Sequence, residues 1–331
     1  MNDASIQVLV TGINGFVGQH VGQILLEQQV NVVGVGRRAT SSFSYPSLSY
    51  SSCDLRDRES VEHLVRQHDV DYVIHLAAEN NANHSWLTPY SSLQTNTIGS
   101  LNLLEALRVR QSKRLQGVLI VGSSHEYGAS PLMAEQVPVT EKFPVEPLNP
   151  YGWSKFLQNS LAQMYGQLYS IPVVIARTFN LVGPGLREGV CAEMVRKVVE
   201  MERGLRSPRL FLDYPEVRRD FLDVRDAAAA YWLLLHADPF PANEVYNVCA
   251  NQVYSIGEIA EKIRELSTCN FSIESSRGLV HQKGPTTQCG DHSKLRAMTG
   301  WKPVYSIDQS LHDMLEAYRQ SEKHTKGGPS F

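Results

Sequence analysis

The sequence lacks the features that mark several specialised classes of protein. Its five cysteines are an odd number without a Cys-x-x-Cys pair, which argues against a disulfide framework and against a zinc site. No apolar run approaches the length of a membrane span, and the N-terminus has no basic region followed by an apolar stretch. The formal net charge is only −3, so we expect no nucleic-acid partner and no membrane surface. These absences favour a cytoplasmic protein without a metal.

The first 180 residues alternate short apolar runs with helical patterns. Apolar, β-branched runs occupy residues 6–10, 30–35, 72–78, 117–122 and 171–176, and apolar residues recur at helical spacing between them. Strands that alternate with helices predict parallel pairing, and therefore an α/β fold with a doubly wound, Rossmann-type sheet.

A glycine-rich turn joins the first strand to the first helix. Gly12, Gly15 and Gly18 have the spacing Gly-x-x-Gly-x-x-Gly. Glycine permits a tight turn and close approach of the backbone to a pyrophosphate, while a helix N-terminus supplies N–H donors and partial positive charge. The placement predicts a dinucleotide site that includes Phe16 and Val17. The alternative is a plain strand-to-helix turn.

The residues after the second strand indicate which dinucleotide binds. A carboxylate there would bond the 2′-hydroxyl of NAD, but the sequence has Arg37 and Arg38. Two guanidiniums suit a 2′-phosphate, so NADP(H) is favoured over NAD(H). Solvated arginines are the alternative. Asp54, followed by Leu55, lies where a third strand would end, and its carboxylate could bond the adenine amine or cap a loop.

Tyr151 and Lys155 are four residues apart, a spacing that places both on one face of a helix. Hydride transfer at a carbinol or ketone needs a group that gives or takes the proton of the oxygen. A phenol with its ordinary pKa of about 10 is a poor base, and a neighbouring ammonium should lower that pKa. Ser123, at the end of the strand in 117–122, could bond the reacting oxygen. These three residues predict a redox site.

Together these features resemble the extended short-chain dehydrogenase/reductase family, also called the NAD-dependent epimerase/dehydratase family, from the first strand to about Arg319. Within the family the chain is similar to the GDP-6-deoxy-4-keto-mannose reductases and GDP-mannose 4,6-dehydratases. The segments that carry this likeness are 85–87, 122–128, 177–180, 183–187, 218–226 and 300–303.

The resemblance assigns roles to further residues. It implies that Ser123, Tyr151 and Lys155 are catalytic, and that the dyad also contacts the cofactor. Further cofactor contacts are implied at Leu76, Ala77, Ala78 and Thr178. It implies that a nucleotide-diphosphate sugar contacts Glu79, Asn80, Ser124, His125, Asn180, Arg187 and Arg219. Arg196 and Lys197 are additional candidates, although a surface ion pair is the better reading for both. The resemblance also implies a homodimer, formed through the helix with the dyad and the long helix before it.

The chain departs from the family pattern at two places. Dehydratases have a carboxylate two residues after the catalytic hydroxyl, and here that position is His125. This histidine could contact the sugar or cap a strand end. Before Gly290 the family often has Arg-Pro-x-Asp/Glu, where this chain reads His-Gln-Lys-Gly-Pro over 281–285. Arg277 or Lys283 could replace the missing arginine.

The leading hypothesis is an NADPH-dependent 4-keto reductase of a nucleotide-linked 4-keto-6-deoxy sugar, with a GDP-sugar favoured. Hydride would go to C4 and Tyr151 would give the proton. The alternative is a nucleotide-sugar 4-epimerase that retains NAD. A 4,6-dehydratase is less favoured because of His125, and a non-catalytic NADP-binding regulator because Ser123, Tyr151 and Lys155 are intact.

The regular alternation of strand and helix patterns changes after Asn180, which suggests a division of the chain. We expect residues 1–180 to form the NADP-binding Rossmann domain, with some later segments returning to it. Residues 181–320 should form mainly a smaller, mixed α/β lobe that binds the sugar nucleotide. The polar, Gly-rich residues 321–331 are predicted to be a disordered tail.

Overall fold

The computed structural model describes residues 6–42, 47–128, 138–275 and 286–324. Its strands are β1 (Gln7–Thr11), β2 (Asn31–Gly36), β3 (Leu48–Ser52), β4 (Tyr72–His75), β5 (Gly117–Ser123), β6 (Val173–Thr178), β7 (Asn180–Val182), β8 (Arg209–Leu212), β9 (Arg218–Asp223), β10 (Val245–Val248), β11 (Val253–Ser255), β12 (Ser272–Ser275) and β13 (Thr287–Gln288). The α-helices are α1 (Phe16–Glu27), α2 (Arg58–Gln67), α3 (Ala82–Leu87), α4 (Pro89–Ser92), α5 (Gly99–Arg110), α6 (Pro150–Tyr169), α7 (Val190–Glu202), α8 (Val224–Leu235), α9 (Ile256–Leu266), α10 (Ser293–Thr299) and α11 (Ile307–His324).

Seven strands form one parallel sheet in the order β10-β6-β5-β4-β1-β2-β3. The chain winds outward from β1 in both directions, because β1 pairs with β2 on one side and with β4 on the other. This confirms the predicted doubly wound, Rossmann-type α/β fold. In such a sheet the ligand crevice lies at the carboxyl ends of the strands, where the winding direction changes.

Both faces of the sheet are covered, which explains why its strands are apolar at nearly every position. In β1, Val8 and Val10 belong to the core on one face, while Leu9 belongs to the core on the other. Helices α1 and α8 bury apolar side chains in the first core, and α2, α5 and α6 do so in the second. Hydrophobic burial on both faces therefore places this strand in the interior of the sheet.

A third core belongs to the later part of the chain. It gathers the apolar faces of α7, α9 and α11, including Val195, Ile259 and Leu311. Small sheets lie beside it: β9 pairs with β7, β11 and β13, and β12 pairs with β8. Two later elements pack instead with the large sheet, since β10 pairs with β6 and α8 contacts α1.

Two local expectations need correction. The strand predicted over 72–78 ends at His75. The predicted tail is wrong for residues 321–324, because α11 continues through His324. The buried face of α11 anchors the helix, and polar residues that tolerate helical backbone extend it by one turn.

Asp220 on β9 joins three segments of the chain. Its buried carboxylate accepts hydrogen bonds from the backbone N–H groups of Ala250 at 2.7 Å, Asn251 at 2.9 Å and Gly290 at 3.2 Å. Burial raises the pKa of Asp220 to about 7, while these N–H bonds oppose the rise. The carboxylate thus satisfies backbone donors that would otherwise be buried without partners.

We predict that Asp220→Ala lowers the free energy of unfolding by about 3 kcal/mol or more, because several buried donors lose their acceptor. Chemical denaturation of the two proteins measures the difference. The matched control is Glu216→Gln on the exposed surface nearby, which should change stability by less than about 0.5 kcal/mol. Equal midpoints for Asp220→Ala and wild type would contradict the assignment.

Candidate active site

The turn between β1 and α1 is built for close backbone approach. Gly12 has a φ of +73°, in the left-handed region, and a Cβ there would lie 2.8 Å from the backbone nitrogen of Ala77. A Cβ on Gly18 would lie 2.3 Å from the carbonyl oxygen of Gly12. Side chains at these two positions would therefore force the turn apart.

Helix α1 begins at this turn without a side-chain cap, in contrast to helices α2, α6 and α8 of the described chain, which begin at Asp57, Asn149 and Asp223. Its N-cap is Gly15. Uncapped N–H groups at a helix N-terminus form an anion site. The turn therefore fits the pyrophosphate of a dinucleotide, as the glycine spacing predicts.

A cavity of about 300 Å³ lies at this turn. Its wall includes the predicted cofactor residues Gly12, Gly15, Phe16, Val17, Gly18, Arg37, Arg38, Asp54, Leu55, Leu76, Ala77 and Ala78. Sequence reasoning missed Arg56, which also lines the cavity and donates to Asp54 at 2.6 Å. This hydrogen bond lowers the pKa of Asp54. The cavity thus holds three guanidinium groups at the ends of β2 and β3.

A second cavity, of about 280 Å³, adjoins the first. The two share the wall residues Phe16, Val17, Leu76, Ala78 and Asn80. The second cavity is lined by all three candidate catalytic residues and by the predicted residues Ser124, His125, Thr178 and Asn180. A dinucleotide in the first cavity would therefore extend toward the candidate catalytic residues.

Tyr151 and Lys155 lie in the first turns of α6. This helix begins at Asn149, whose Oδ1 accepts the N–H of Gly152 at 2.8 Å, and Pro150 occupies its first position. Glycine at 152 is needed because a Cβ there would lie 2.6 Å from the carbonyl oxygen of His125. The cap and the glycine set the position of the dyad against the end of β5.

The pKa of Tyr151 moves opposite to the sequence-based expectation. Burial raises it to about 12, although a hydrogen bond with Ser123 acts in the other direction. Lys155 is itself buried, and its Nζ donates to the carbonyl oxygen of Val121 at 2.8 Å and to Gln158 at 3.1 Å. The expectation that the ammonium lowers the pKa of Tyr151 in the protein alone is therefore wrong, because desolvation of the phenol dominates.

Lys155 is affected by the same burial. Desolvation lowers its pKa to about 8, and the charge of Glu126 opposes this shift. The amine therefore changes its charge close to physiological pH, whereas Tyr151 keeps its proton there. A protonated phenol beside a hydroxyl is suited to donating a proton to a carbonyl oxygen.

Glu126 organises the end of β5, and sequence reasoning missed it. Its buried carboxylate accepts the N–H of Ser123 at 2.7 Å, Asn159 at 2.8 Å and the guanidinium of Arg177 at 3.0 Å. Ser123 in turn accepts the N–H of His125 at 3.2 Å. The available signal was the Ser-x-x-Glu spacing of a capping box.

Three residues of the predicted sugar-nucleotide set lie outside both cavity walls. The Glu79 carboxylate pairs with His84 at 3.1 Å, and Arg187 is exposed. Arg219 donates to the carbonyl oxygen of Arg218 at 2.8 Å, but its charge acts on His125. Arg277 and Lys283 fall outside the described residues.

Other predicted residues are engaged in contacts within the protein. The Thr178 hydroxyl bonds Tyr231 at 2.7 Å, and Asn180 donates to the carbonyl oxygen of Asp220 at 3.1 Å. Arg196 and Lys197 each pair with a glutamate on the same helix, which confirms the surface ion-pair reading. Residues that sequence reasoning missed in the second cavity include Phe179, Leu186, Glu188, Cys191, Phe221 and Tyr231.

The described residues contain no group of three or more His, Cys, Asp or Glu side chains that could hold a metal ion. Over those same ranges, every helix is too short or too polar to cross a membrane.

The family comparison matches almost the whole chain. A family model described as GDP-mannose 4,6 dehydratase matches residues 9–314. The chain belongs to this family. Its members and relatives are NAD(P)-dependent enzymes of the extended short-chain dehydrogenase/reductase type that act on nucleotide sugars.

Two curated relatives of the chain carry the names of different activities. The GDP-6-deoxy-D-mannose reductase of Pseudomonas aeruginosa is 32% identical over 93% of this chain and 96% of its own. A putative UDP-glucose 4-epimerase of Methanocaldococcus jannaschii is 29% identical over 96% of this chain and 99% of its own.

Solved structures that resemble this chain include one bound to NADPH and one bound to NAD. RMD from P. aeruginosa, complexed with NADPH, has a TM-score of 0.81 and 31% identity, covering 96% of this chain and 100% of that one. The Thermus thermophilus UDP-glucose 4-epimerase, in complex with NAD, has a TM-score of 0.83 and 27% identity over the same shares. The chain is therefore similar in sequence to a nucleotide-sugar reductase and to 4-epimerases, and similar in fold to solved structures that hold NADPH or NAD.

We predict that any carbonyl reduction at this site slows as the pH rises through about 8. An ammonium at Lys155 would stabilise the phenolate left after Tyr151 gives its proton, and this charge is lost above the lowered pKa of Lys155. Initial rates of NADPH oxidation at sugar concentrations well below KM, from pH 6 to 10, measure the step, because kcat/KM reports groups of the enzyme before the sugar binds.

Lys155→Met should remove that step and lower the rate by about 100-fold or more. Lys142→Met, on the exposed surface, should keep the wild-type profile. A falling limb that persists near pH 8 in Lys155→Met would assign the titration to another group.

Proposed function

We propose that the protein is an NADPH-dependent reductase of the 4-keto group of a nucleotide-linked 4-keto-6-deoxy sugar, with a GDP-sugar favoured. The observation that carries the proposal is the pair of adjoining cavities, which places the hydroxyls of Ser123 and Tyr151 beside the site that fits a dinucleotide. Reduction of a ketone consumes a proton at the oxygen, and an acid is therefore the group this site must supply. The dinucleotide-binding domain is the large sheet with residues 1–180, and the lobe of residues 181–320 binds mainly the sugar nucleotide.

The residues divide the chemistry among them. The bound cofactor supplies a hydride to C4 of the sugar. Ser123 bonds the carbonyl oxygen and orients it, and Tyr151 gives that oxygen its proton. The positive charge of Lys155, held by the carbonyl oxygen of Val121, stabilises the phenolate until the proton is replaced.

The choice of NADPH rests on the three arginines of the first cavity. Arg37 and Arg38 follow β2, where a carboxylate would select the 2′-hydroxyl of NAD. Arg56 holds both oxygens of Asp54 in a bidentate hydrogen bond, so the carboxylate in that wall is already paired. Forked guanidinium donors suit a phosphate. The NADPH complex of the P. aeruginosa relative supports this choice.

Dehydration is disfavoured by His125. A dehydratase of this type needs a carboxylate two residues after Ser123, and burial lowers the pKa of His125 to about 4. The side chain is therefore a neutral imidazole at physiological pH, without the negative charge and the two acceptor oxygens of a carboxylate.

We also propose that the enzyme is a homodimer joined through α5 and α6, which pack against each other. These two helices leave several large apolar side chains exposed. They are Val109, Trp153, Leu157, Met164, Leu168 and Tyr169. Apolar surface of this kind on adjacent helices favours a self-complementary interface.

The second candidate is a nucleotide-sugar 4-epimerase that retains NAD. The observation in its favour is the 29% identity with a putative UDP-glucose 4-epimerase over nearly the full length of both chains. Such an enzyme would use the same dyad, but it would return the hydride to the sugar it came from.

One experiment separates the candidates. Purified enzyme is given NADPH and, separately, GDP-, UDP- and dTDP-linked 4-keto-6-deoxy sugars. A reductase consumes NADPH in proportion to product, with the GDP-sugar expected to react fastest. Interconversion of UDP-glucose and UDP-galactose without net cofactor change would instead establish the epimerase, and copurified, tightly bound NAD would contradict the reductase.

We predict that the double variant Arg37→Ala/Arg38→Ala raises KM for NADPH by about tenfold or more, because charge-assisted hydrogen bonds to the 2′-phosphate are lost. KM for NADH should change little. Steady-state kinetics with both cofactors give the comparison. Arg66→Ala, an exposed arginine outside the cavity wall, is the control. A parallel rise for both cofactors would place the two arginines elsewhere than the 2′-phosphate.

A further inference from the structure

We propose that His125 is a neutral hydrogen-bond donor, whose Nε2–H binds an oxygen of the sugar, and that Asn149 fixes this tautomer. This inference rests on the proposed function for the identity of the ligand. It assigns a specificity-determining residue at the position where a dehydratase would have its carboxylate.

The orientation of the Asn149 amide follows from the helix cap. Its Oδ1 accepts the backbone N–H of Gly152 at 2.8 Å. A backbone N–H can only donate, so the amide oxygen must lie on that side. The amide nitrogen is thereby left to face the Nδ1 atom of His125, at 3.1 Å.

The amide orientation decides the tautomer of His125. The Nδ2 group of Asn149 is a donor without acceptor capacity, so Nδ1 of the imidazole must present its lone pair. In a neutral imidazole the proton then resides on Nε2. If both nitrogens of His125 were protonated, the N–H of Nδ1 would face the N–H of the Asn149 amide, and neither group could accept a hydrogen bond.

The surroundings also keep the ring neutral. The ring of His125 packs edge-on against that of Tyr151, with 5.4 Å between the centroids. Burial lowers the pKa of His125 to about 4, and the positive charge of Arg219 on β9 adds to this effect. Among the described residues, Tyr151 and Arg219 are the titratable or charged side chains identified beside the ring.

His125 lines the second cavity together with Ser123 and Tyr151. A carboxylate at this position would accept hydrogen bonds and could remove a proton from carbon. A neutral imidazole with the proton on Nε2 offers one donor instead. The site should therefore bind a hydroxyl or carbonyl oxygen of the sugar near the reacting carbon without acting as a base there.

Asn149 is a positioning residue with two tasks. It caps α6, which carries Tyr151, and it orients the imidazole of His125. The two tasks can be separated, because aspartate at 149 would keep the cap oxygen but could not donate to Nδ1. In Asn149→Asp the neutral ring must place its proton on Nδ1, and Nε2 becomes an acceptor.

The tautomer is tested by NMR on protein with ¹⁵N-labelled histidine, without substrate. The His125 signals are assigned by their loss in His125→Gln. We expect wild type to show a protonated Nε2 and a bare Nδ1 at pH 7. Asn149→Asp should show the reverse pattern above the pKa of its histidine. A protonated Nδ1 in wild type would overturn the proposal whether or not the enzyme is a reductase.

The donor role is tested by affinity. His125→Phe should raise KM for GDP-4-keto-6-deoxy-mannose by about tenfold, as loss of a buried hydrogen bond predicts, while the inhibition constant of GDP stays within about twofold. His125→Gln places an amide donor near Nε2 and should recover most of the loss. Equal effects on GDP and on the sugar nucleotide, or no recovery in His125→Gln, would reduce His125 to a packing role.

Asn149→Asp supplies a pH signature that a packing defect would not produce. Below the pKa of its histidine, the imidazolium still donates through Nε2 and KM for the sugar should be near normal. Above that pKa, KM should rise by about tenfold, a step absent from wild type. A pH-independent KM in Asn149→Asp would contradict the proposal. If wild type turns over none of the nucleotide sugars, the proposed function fails, and the NMR result still decides the tautomer.

Discussion

The carboxylate of Glu126 makes hydrogen bonds to three different elements, and the geometry of the active site depends on them. It accepts from Ser123 on β5, from Asn159 on α6 and from Arg177 on β6. The ion pair with Arg177 is fully buried, and the guanidinium lies 4.5 Å from the centre of the Tyr127 ring. A buried charge is tolerable only when its partners are complete. The strand end that carries Ser123 is thus held against the helix that carries Tyr151 and Lys155.

This arrangement explains why local sequence patterns predicted one part of the site well. The glycine turn, Arg37, Arg38 and the spacing of Tyr151 and Lys155 are properties of single segments, which strand and helix geometry translate directly into position. The fold itself followed from the alternation of strands and helices. A parallel sheet with both faces covered leaves few other topologies for such a chain.

The remainder of the site depends on contacts between distant segments. Glu126 and Arg177 meet only because β5 and β6 are neighbours, and no spacing in the sequence announces their pairing. The pKa of Tyr151 was anticipated in the wrong direction because the Tyr-x-x-x-Lys pattern contains a charge but not the depth of burial. Arg187 and Glu79 were assigned by resemblance, and their exposure or pairing is set by loops whose course the pattern does not specify.

The uncapped start of α1 has a consequence for the stability of the whole protein. Without a ligand, the first N–H groups of this helix have no side chain at the N-cap to satisfy them. A dinucleotide that binds these N–H groups in the folded chain and not in the unfolded chain would stabilise the folded state. At a concentration of 100 times Kd, such a ligand adds about 2.7 kcal/mol to the free energy of unfolding. The cofactor would then contribute to the folding equilibrium of the enzyme as well as to its chemistry.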